Sequence, residues 1–309
     1  MQIYGSNELV SKVQKQGLCI GCGACVELCP YFKNHKGQTA MVFPCTLPQG
    51  LCFAHCPKIE VDFDELSQRV WGKPYDGSPM GNYLKVQASQ AGEKMGQGNY
   101  QGGGTVSALL IFAMQEGIID AAVLTDHEKL NPIARLATTV EEIQQCAGSK
   151  FMASPTLSAL NIGVRKGYRR LGVVGTPCQM LAVAQLRQNP LEKQDFVDPV
   201  ALSIGVFCNW ALDTRQLMAL LKQKLDIGTI RAMDIPPPPA NIMILSTDEG
   251  RVEVPLSEVK ELIPHTCFIC LDMTAEFSDI SVGMFEGRPG WNTLIVRSRR
   301  GADMVDRAV

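Results

Sequence analysis

The sequence predicts a large α/β (α+β) domain preceded by a small cysteine-rich one. Two observations carry this. Seven of the twelve cysteines fall within the first 56 residues, and beyond about residue 84 short apolar runs alternate with helix-period segments. Such strand–helix alternation is the pattern of an α/β domain. A chain of 309 residues has the length of about two domains.

Apolar runs predict strands over 121–125, 171–175, 202–207, 241–245 and 293–296. Helical spacing of apolar residues predicts helices over 106–115, 140–146, 158–164, 180–187 and 214–225, with Asp213 as a cap for the last. Residues 60–98 are polar and rich in turn formers (Gly72, Pro74, Gly77, Pro79, Gly81), which reads as a connecting segment. This divides the chain into a cysteine-rich domain over 1–63, a linker over 64–83 and a large domain over 84–309. Pro236–Pro239 cannot sit in a helix or central strand, so a rigid exposed loop is expected before the 241–245 strand.

Composition narrows the function. Net charge is −2, and the basic residues are dispersed apart from Arg297, Arg299 and Arg300. Neither nucleic acid nor an anionic membrane surface is therefore an expected partner. The longest apolar run, 106–114, is far short of the roughly 20 residues that span a bilayer. With no secretory signal visible, the expected compartment is the cytoplasm, where cysteines stay reduced and serve as metal ligands rather than disulfides.

The first cysteines run Cys19-x2-Cys22-x2-Cys25-x3-Cys29, with Pro30 directly after. That spacing wraps an iron–sulfur cluster in bacterial ferredoxins, the fourth cysteine turning to a second cluster. Gly21, Gly23 and Ala24 are small enough for the backbone to approach inorganic sulfide. A zinc site would show two separated Cys-x2-Cys pairs instead. Cys45, Cys52 and Cys56 come next, and Cys52-x3-Cys56-Pro57 repeats the end of the first motif. Crossed ligation would put Cys19, Cys22, Cys25 and Cys56 on one 4Fe–4S cluster and Cys29, Cys45 and Cys52 on a second. The repeat lacks its middle cysteine, reading Thr46-Leu47-Pro48-Gln49-Gly50. Three thiolates suit a 3Fe–4S cluster, or a cubane with an outside ligand such as Cys146 or a non-cysteine group; the alternative is a single cluster with the spare cysteines structural. His35 and His55 read as solvated or hydrogen-bonded loop residues, not ligands.

Cys178 and Cys208 each follow an apolar strand, and Cys267-x2-Cys270 is a local pair. If the two strands are parallel neighbours, their ends bring both thiols to one sheet edge, the place where open α/β sheets bind ligands. These four cysteines then make a third cluster site. Gln101-Gly102-Gly103-Gly104-Thr105 opens the 106–115 helix and is suited to a phosphate, although it matches neither a dinucleotide nor a P-loop fingerprint.

The larger domain resembles the beta subunit of coenzyme F420-reducing hydrogenase and its dehydrogenase relatives. The resemblance is carried in order by Gly103–Leu110, Gly117-Ile118-Ile119, Ala147-Gly148-Ser149-Lys150 with Ser154-Pro155, and Thr176-Pro177-Cys178-Gln179. It continues through Gly205-x2-Cys208, Met233-Asp234-Ile235, Cys267-x2-Cys270-x-Asp272 with Ala275 and Asp279, and Gly290-Trp291-x-Thr293. It implies that the domain binds FAD and one 4Fe–4S cluster, with Cys178, Cys208, Cys267 and Cys270 as ligands. It also implies that Gly102, Gly103, Gly104, Thr105 and Ser107, with Lys150, Ser154, Thr176 and Gln179, hold the FAD. Electrons would move between a hydride carrier such as coenzyme F420 and partner subunits of a hydrogenase, formate dehydrogenase or heterodisulfide-reductase-like assembly. Two departures stand out: Pro236–Pro239 replaces the family's Gly- and Lys-containing loop, and the ferredoxin-like block is an addition to the simplest members. The rival expectations are an internal relay without hydride chemistry, an NAD(P)H-linked flavoprotein reductase, and a structural iron–sulfur scaffold. Asp272 and Asp279 are expected to be structural rather than catalytic bases, and Trp291 to pack in the core.

Overall fold

The molecule is built on a seven-stranded sheet with a four-stranded parallel centre. The structure, a computed structural model, describes residues 2–95, 100 and 102–309, so Gln101 of the glycine turn and positions 96–98 of the predicted connecting segment lie outside the described residues. The strands in chain order are β1 Phe32–His35, β2 Gln38–Met41, β3 Lys85–Ser89, β4 Ala121–Glu128, β5 Asn131–Ala137 and β6 Leu171–Gly175. They continue with β7 Val200–Val206, β8 Ile230–Asp234, β9 Ile242–Thr247, β10 Gly250–Pro255, β11 Ile280–Met284 and β12 Asn292–Val296.

The large sheet runs β3-β12-β11-β7-β6-β4-β5, with β11, β7, β6 and β4 parallel and antiparallel strands added at both edges. Parallel neighbours need crossovers, and these supply the helices. Alternation along β4 shows how both faces are filled. Ala122 and Leu124 pack with Leu109, Leu110, Ile143 and Met304, whereas Ala121 and Val123 pack with Leu157, Leu160, Met180 and Val183. The helices Thr105–Gln115, Val140–Gln145 and Arg299–Ala308 therefore cover one face, and Leu157–Arg165 and Pro177–Arg187 the other.

All five predicted helices occur in place, and four of the five predicted strands lie in the large sheet. The 241–245 strand also forms, as β9, but in a separate antiparallel sheet ordered β10-β9-β8. That small sheet is inserted in the crossover from β7 to β11 and packs on the helix Thr214–Lys224, which Asp213 caps through the N–H groups of Arg215 and Gln216. Pro236–Pro239 form its exposed β8–β9 turn. The predicted linker holds more structure than its composition suggests. Phe63–Trp71 is a helix capped by Asp62 and ended by Gly72 at φ 71°, with Leu66 buried against Ala184 and Phe277.

Arg297 is not part of a surface basic patch. It is 2% exposed and donates to the carbonyls of Met80, Asn82 and Thr274 and to the hydroxyls of Thr274 and Ser281. It thereby ties the 80–82 segment to β12 and to the loop before β11. Burial, countered in part by Asp272 and Glu276, lowers its pKa to about 10. Glu276, 3% exposed, is pushed up to about 7, first by burial and then by the charge of Asp272.

A carboxyl whose pKa is raised by folding stabilises the fold below its unfolded value of 4.5 and loses that contribution as pH climbs through about 7. Glu276→Gln is expected to raise the thermal midpoint above that of the wild type at pH 8, with the gap closing near pH 5. Thermal melts across that range check this, and a gap independent of pH would contradict it.

Candidate iron–sulfur and cofactor site

The ferredoxin-like block brings its cysteines together through two short pieces of structure. The β1–β2 hairpin pairs Phe32 with Met41, and Val42 N–H donates to the Tyr31 carbonyl at 2.7 Å. This closes the chain so that Cys29 and Cys45 leave the same end of the hairpin. The helix Leu51–Ala54 then places Cys52 beside them, close enough for Cys29 and Cys45 to act on its charge. Burial is the first cause that lifts Cys52 to about 11. Cys19, Cys22, Cys25 and Cys56 line a second space of about 380 Å³, counting its opening to solvent, bordered also by Leu9, Val13 and Thr39. Burial raises Cys22 and Cys25 well above the usual thiol value and Cys56 to about 12, with neighbouring cysteines adding to each.

The third set forms at the sheet edge. β6 and β7 are parallel neighbours in register at Gly175 and Gly205, so the residues after them leave the sheet side by side. After β6 the chain turns into the helix Pro177–Arg187 through a capping box. Thr176 caps the helix, Pro177 opens it, and the Gln179 side chain accepts from the Thr176 N–H at 2.9 Å. Cys178 therefore sits in the first turn of an eleven-residue helix, its thiol 3.2 Å from the Thr176 hydroxyl. Cys208 lies just after β7, pinned by its N–H to the Met273 carbonyl at 2.9 Å. The short helix His265–Phe268 carries Cys267, and Cys270 closes the turn after it. Burial raises the thiols of Cys178, Cys208 and Cys267.

All four of these cysteines line one cleft of about 650 Å³, counting its open mouth, together with Cys22, Lys58, Lys150, Ser154, Thr176, Gln179, Trp210 and Asp272. Among the described residues no three His, Cys, Asp or Glu side chains converge tightly enough for a single metal ion. The thiols are instead spread around cavities. Lys150 Nζ donates to the carbonyls of Ala147 and Gly148, and burial lowers its pKa. Gln179 is committed on both ends of its amide, because Nε2 also donates to the Ser154 carbonyl and the Thr156 hydroxyl. It positions the 154–156 segment and Cys178.

The glycine turn stands elsewhere. β3 ends on the same edge as the parallel strands, four strand spacings from β6, roughly 19 Å at the usual interstrand distance. Gly102, Gly103, Gly104, Thr105 and Ser107 do not line the cleft. A Cβ on Gly103 would lie 2.7 Å from Asn292 Oδ1, and that same oxygen accepts from the Thr105 N–H at 3.3 Å. Asn292 thus accounts for Gly102 and Gly103 and caps one donor of the helix, whereas Gly104 sits at φ 72° against Ala91 and Tyr100.

Other expectations are corrected by position. Cys146 is buried with the Val140–Gln145 helix in the sheet core, interacting with Asp126 and Arg135, and is no outside ligand for Cys29, Cys45 and Cys52. Of the two histidines expected to be solvated or hydrogen-bonded, His35 is exposed and His55 is buried, its pKa lowered to about 4 by burial and by Lys193. Asp279 is structural, as expected: it accepts from Ser203 and Ser298 and lies beside Arg187 and Arg300. Trp291 is half-buried with the Arg288 guanidinium 3.6 Å from its ring centre. The proline turn borders neither cavity.

The sequence motifs did not reveal what joins the two parts. Asn161 Nδ2 donates to the carbonyls of Ala24 and Val26 at 3.0 and 2.7 Å, and the Leu157 N–H donates to the Cys22 carbonyl at 3.0 Å. Gln185 Nε2 donates to the carbonyls of Ala54 and Cys56 at 3.1 and 3.2 Å. A Cβ on Gly23 would lie 2.3 Å from the Pro155 carbonyl oxygen, so only glycine permits this seating.

A ferredoxin-type cysteine loop seated against a cysteine-lined cleft defines an iron–sulfur oxidoreductase subunit that carries electrons. Residues 168–309 and 88–161 match, respectively, the C-terminal and N-terminal parts of the coenzyme F420 hydrogenase/dehydrogenase beta subunit, and residues 14–31 match a 4Fe–4S binding domain. The chain belongs to the family of coenzyme F420 hydrogenase/dehydrogenase beta subunits. It is 30% identical to an uncharacterized protein of Methanocaldococcus jannaschii, over 97% of this chain and 89% of that protein. It is 27% identical to one subunit of the F420H2 dehydrogenase of Methanosarcina mazei, over 96% of this chain and 84% of that protein. A chain of the F420-reducing NiFe hydrogenase complex of Methanosarcina barkeri superposes with a TM-score of 0.67 at 27% identity, covering 74% of this chain and 79% of that one. Among the described residues no helix is long and apolar enough to cross a membrane.

Removing the Asn161 amide leaves two loop carbonyls without a donor, at a cost of about 1–3 kcal/mol. Asn161→Leu is expected to loosen residues 18–29 while leaving the sheet intact. Faster hydrogen exchange confined to that loop is the outcome to look for.

Proposed function

We propose that this subunit exchanges hydride with coenzyme F420, or a similar carrier, through FAD held in the cleft, and passes single electrons to or from partner subunits. Bound there, FAD would couple a two-electron hydride to one-electron carriers. Cys178, Cys208, Cys267 and Cys270 would hold a 4Fe–4S cluster, and Cys19, Cys22, Cys25 and Cys56 another. Cys29, Cys45 and Cys52 would hold a third, as 3Fe–4S or with a fourth ligand from outside the cysteine set.

The observation that carries this reading is the position of Cys22. It lines both the smaller cavity and the cleft, and Cys178 is close enough to act on its charge. Cys25 and Cys52 make the same link between the first set and the outer one. The three sets thus form an unbroken row from the sheet edge to the hairpin. Crowded, buried thiols are poorly placed to ionise alone, and metal coordination is what makes thiolates stable in such a setting.

In the cleft, Lys150 offers a half-buried cation bonded only to carbonyls, suited to an anionic part of the cofactor. Thr176 and Gln179 hold Cys178 at the helix start, and the backbone turn at Gly102–Gly104 remains a candidate for a more distant part of the cofactor. No side chain is required as an acid or base. The partners would be subunits of a hydrogenase, formate dehydrogenase or heterodisulfide-reductase-like complex. Ligand thiols in such number favour a cytoplasmic location.

Anaerobic titration of the purified chain with reduced coenzyme F420, NADH and NADPH, followed at the flavin absorption band, tests the hydride step. Bleaching by reduced coenzyme F420 is expected; a flavin reduced by dithionite but by none of the three donors would make the chain an internal relay. Cys178→Ala is expected to remove about four irons per chain and leave the ferredoxin-type signals in place. Unchanged iron content would remove Cys178 from the ligand set.

A further inference from the structure

The two inner cavities share a wall made by Ile20, Cys22 and Lys58. Among the described residues, Lys58 is the one charged side chain lining the smaller cavity. It is half-buried, and its Nζ donates at 3.3 Å to the carbonyl of Thr266, the residue before Cys267. The Thr266 hydroxyl in turn donates at 2.9 Å to the carbonyl of Leu18, the residue before Cys19. A lysine two positions after Cys56 is therefore clamped between the loops that present the two cysteine sets. The carboxylate lining the cleft, Asp272, is occupied by the N–H groups of Thr274 and Glu276.

A cluster's reduction potential depends on the charge, hydrogen bonds and solvent around it. A cation on an open surface is screened, whereas one between two cavities acts on both with little water in between. We propose that Lys58 is a tuning residue for both inner clusters: its positive charge stabilises the added electron on either one, raising the two potentials together. An electron that leaves one cluster arrives on the other, and Lys58 itself neither gains nor loses one. This rests on the reading that both cysteine sets hold clusters.

The test uses the full-length, cluster-loaded protein and three forms: wild type, Lys58→Gln and Lys58→Arg. Gln retains a donor for the Thr266 carbonyl without the charge, and Arg retains the charge. Iron and sulfide content comes first, and a wild type lacking either inner cluster overturns the parent reading and this proposal with it. With clusters loaded, potentiometric titration followed by electron paramagnetic resonance reads each potential directly. The expected result is a shift of both inner clusters to more negative potential in Lys58→Gln, with Lys58→Arg close to wild type. Unchanged potentials in Lys58→Gln, a shift at one cluster alone, or an equal shift in Lys58→Arg would overturn the assignment while leaving the cluster reading standing. Failure of Lys58→Gln to load its clusters would make Lys58 an assembly residue and overturn it as well.

Discussion

The arrangement depends on side-chain amides that hold a cysteine loop by its backbone. Asn161 and Gln185 project from the two helices on one face of the sheet and donate to carbonyls of two separate segments, one carrying Cys22 and Cys25 and the other Cys56. A loop with little regular structure has carbonyls to spare, and a buried one must have donors for them. The bonds satisfy that requirement and at the same time set the spacing between the loop and Cys178. Electron transfer falls steeply with distance, so a rigid seam serves it better than a flexible tether between two separately folded domains.

The sheet makes the other half of the contact. Two parallel strands end in register, and local chemistry directs the chain beyond each: a capping box after β6 and a backbone pin to Met273 after β7. The Cys267 and Cys270 loop arrives from the far end of a long crossover that includes a separate three-stranded sheet. That insert builds its own apolar core and presents the pair without entering the main one. Exposed Phe268, Ile269 and Leu271 sit on the same loop, so the cysteines there are carried by a segment held at its base rather than packed throughout.

Much of the fold was legible because its segments are locally consistent. The apolar runs of β4, β6, β7 and β12 and the helices between them have periods that need no partner to be recognised. The elements left unread have weaker local signals. β11 carries Ser281 and Gly283 inside a short strand, and Gly283 is there because the Phe207 ring lies against it. The Phe63–Trp71 helix is mostly polar, and Leu66 is buried against Ala184 and Phe277, which are far away in sequence. β9 has a clear strand period but no clue to which sheet it joins, because pairing is a long-range choice.

Spacing alone made the chemistry of residues 19–29 readable: thiolates two or three residues apart can converge on a cluster from a tight loop, and residues 14–31 match a 4Fe–4S binding domain. The sequence also carried the expectation of a crossed grouping, which rests on the duplicated Cys-x3-Cys-Pro motif. Tertiary structure decided what stands between and around those groups. Lys58 lies between two cavities because residues 18, 58 and 266 meet there, and no spacing rule connects them. Cys146 was separated from the outer set, and the glycine turn from the cleft, for the same reason. Local sequence fixes which atoms a short segment presents, whereas the packing of distant segments fixes what those atoms face.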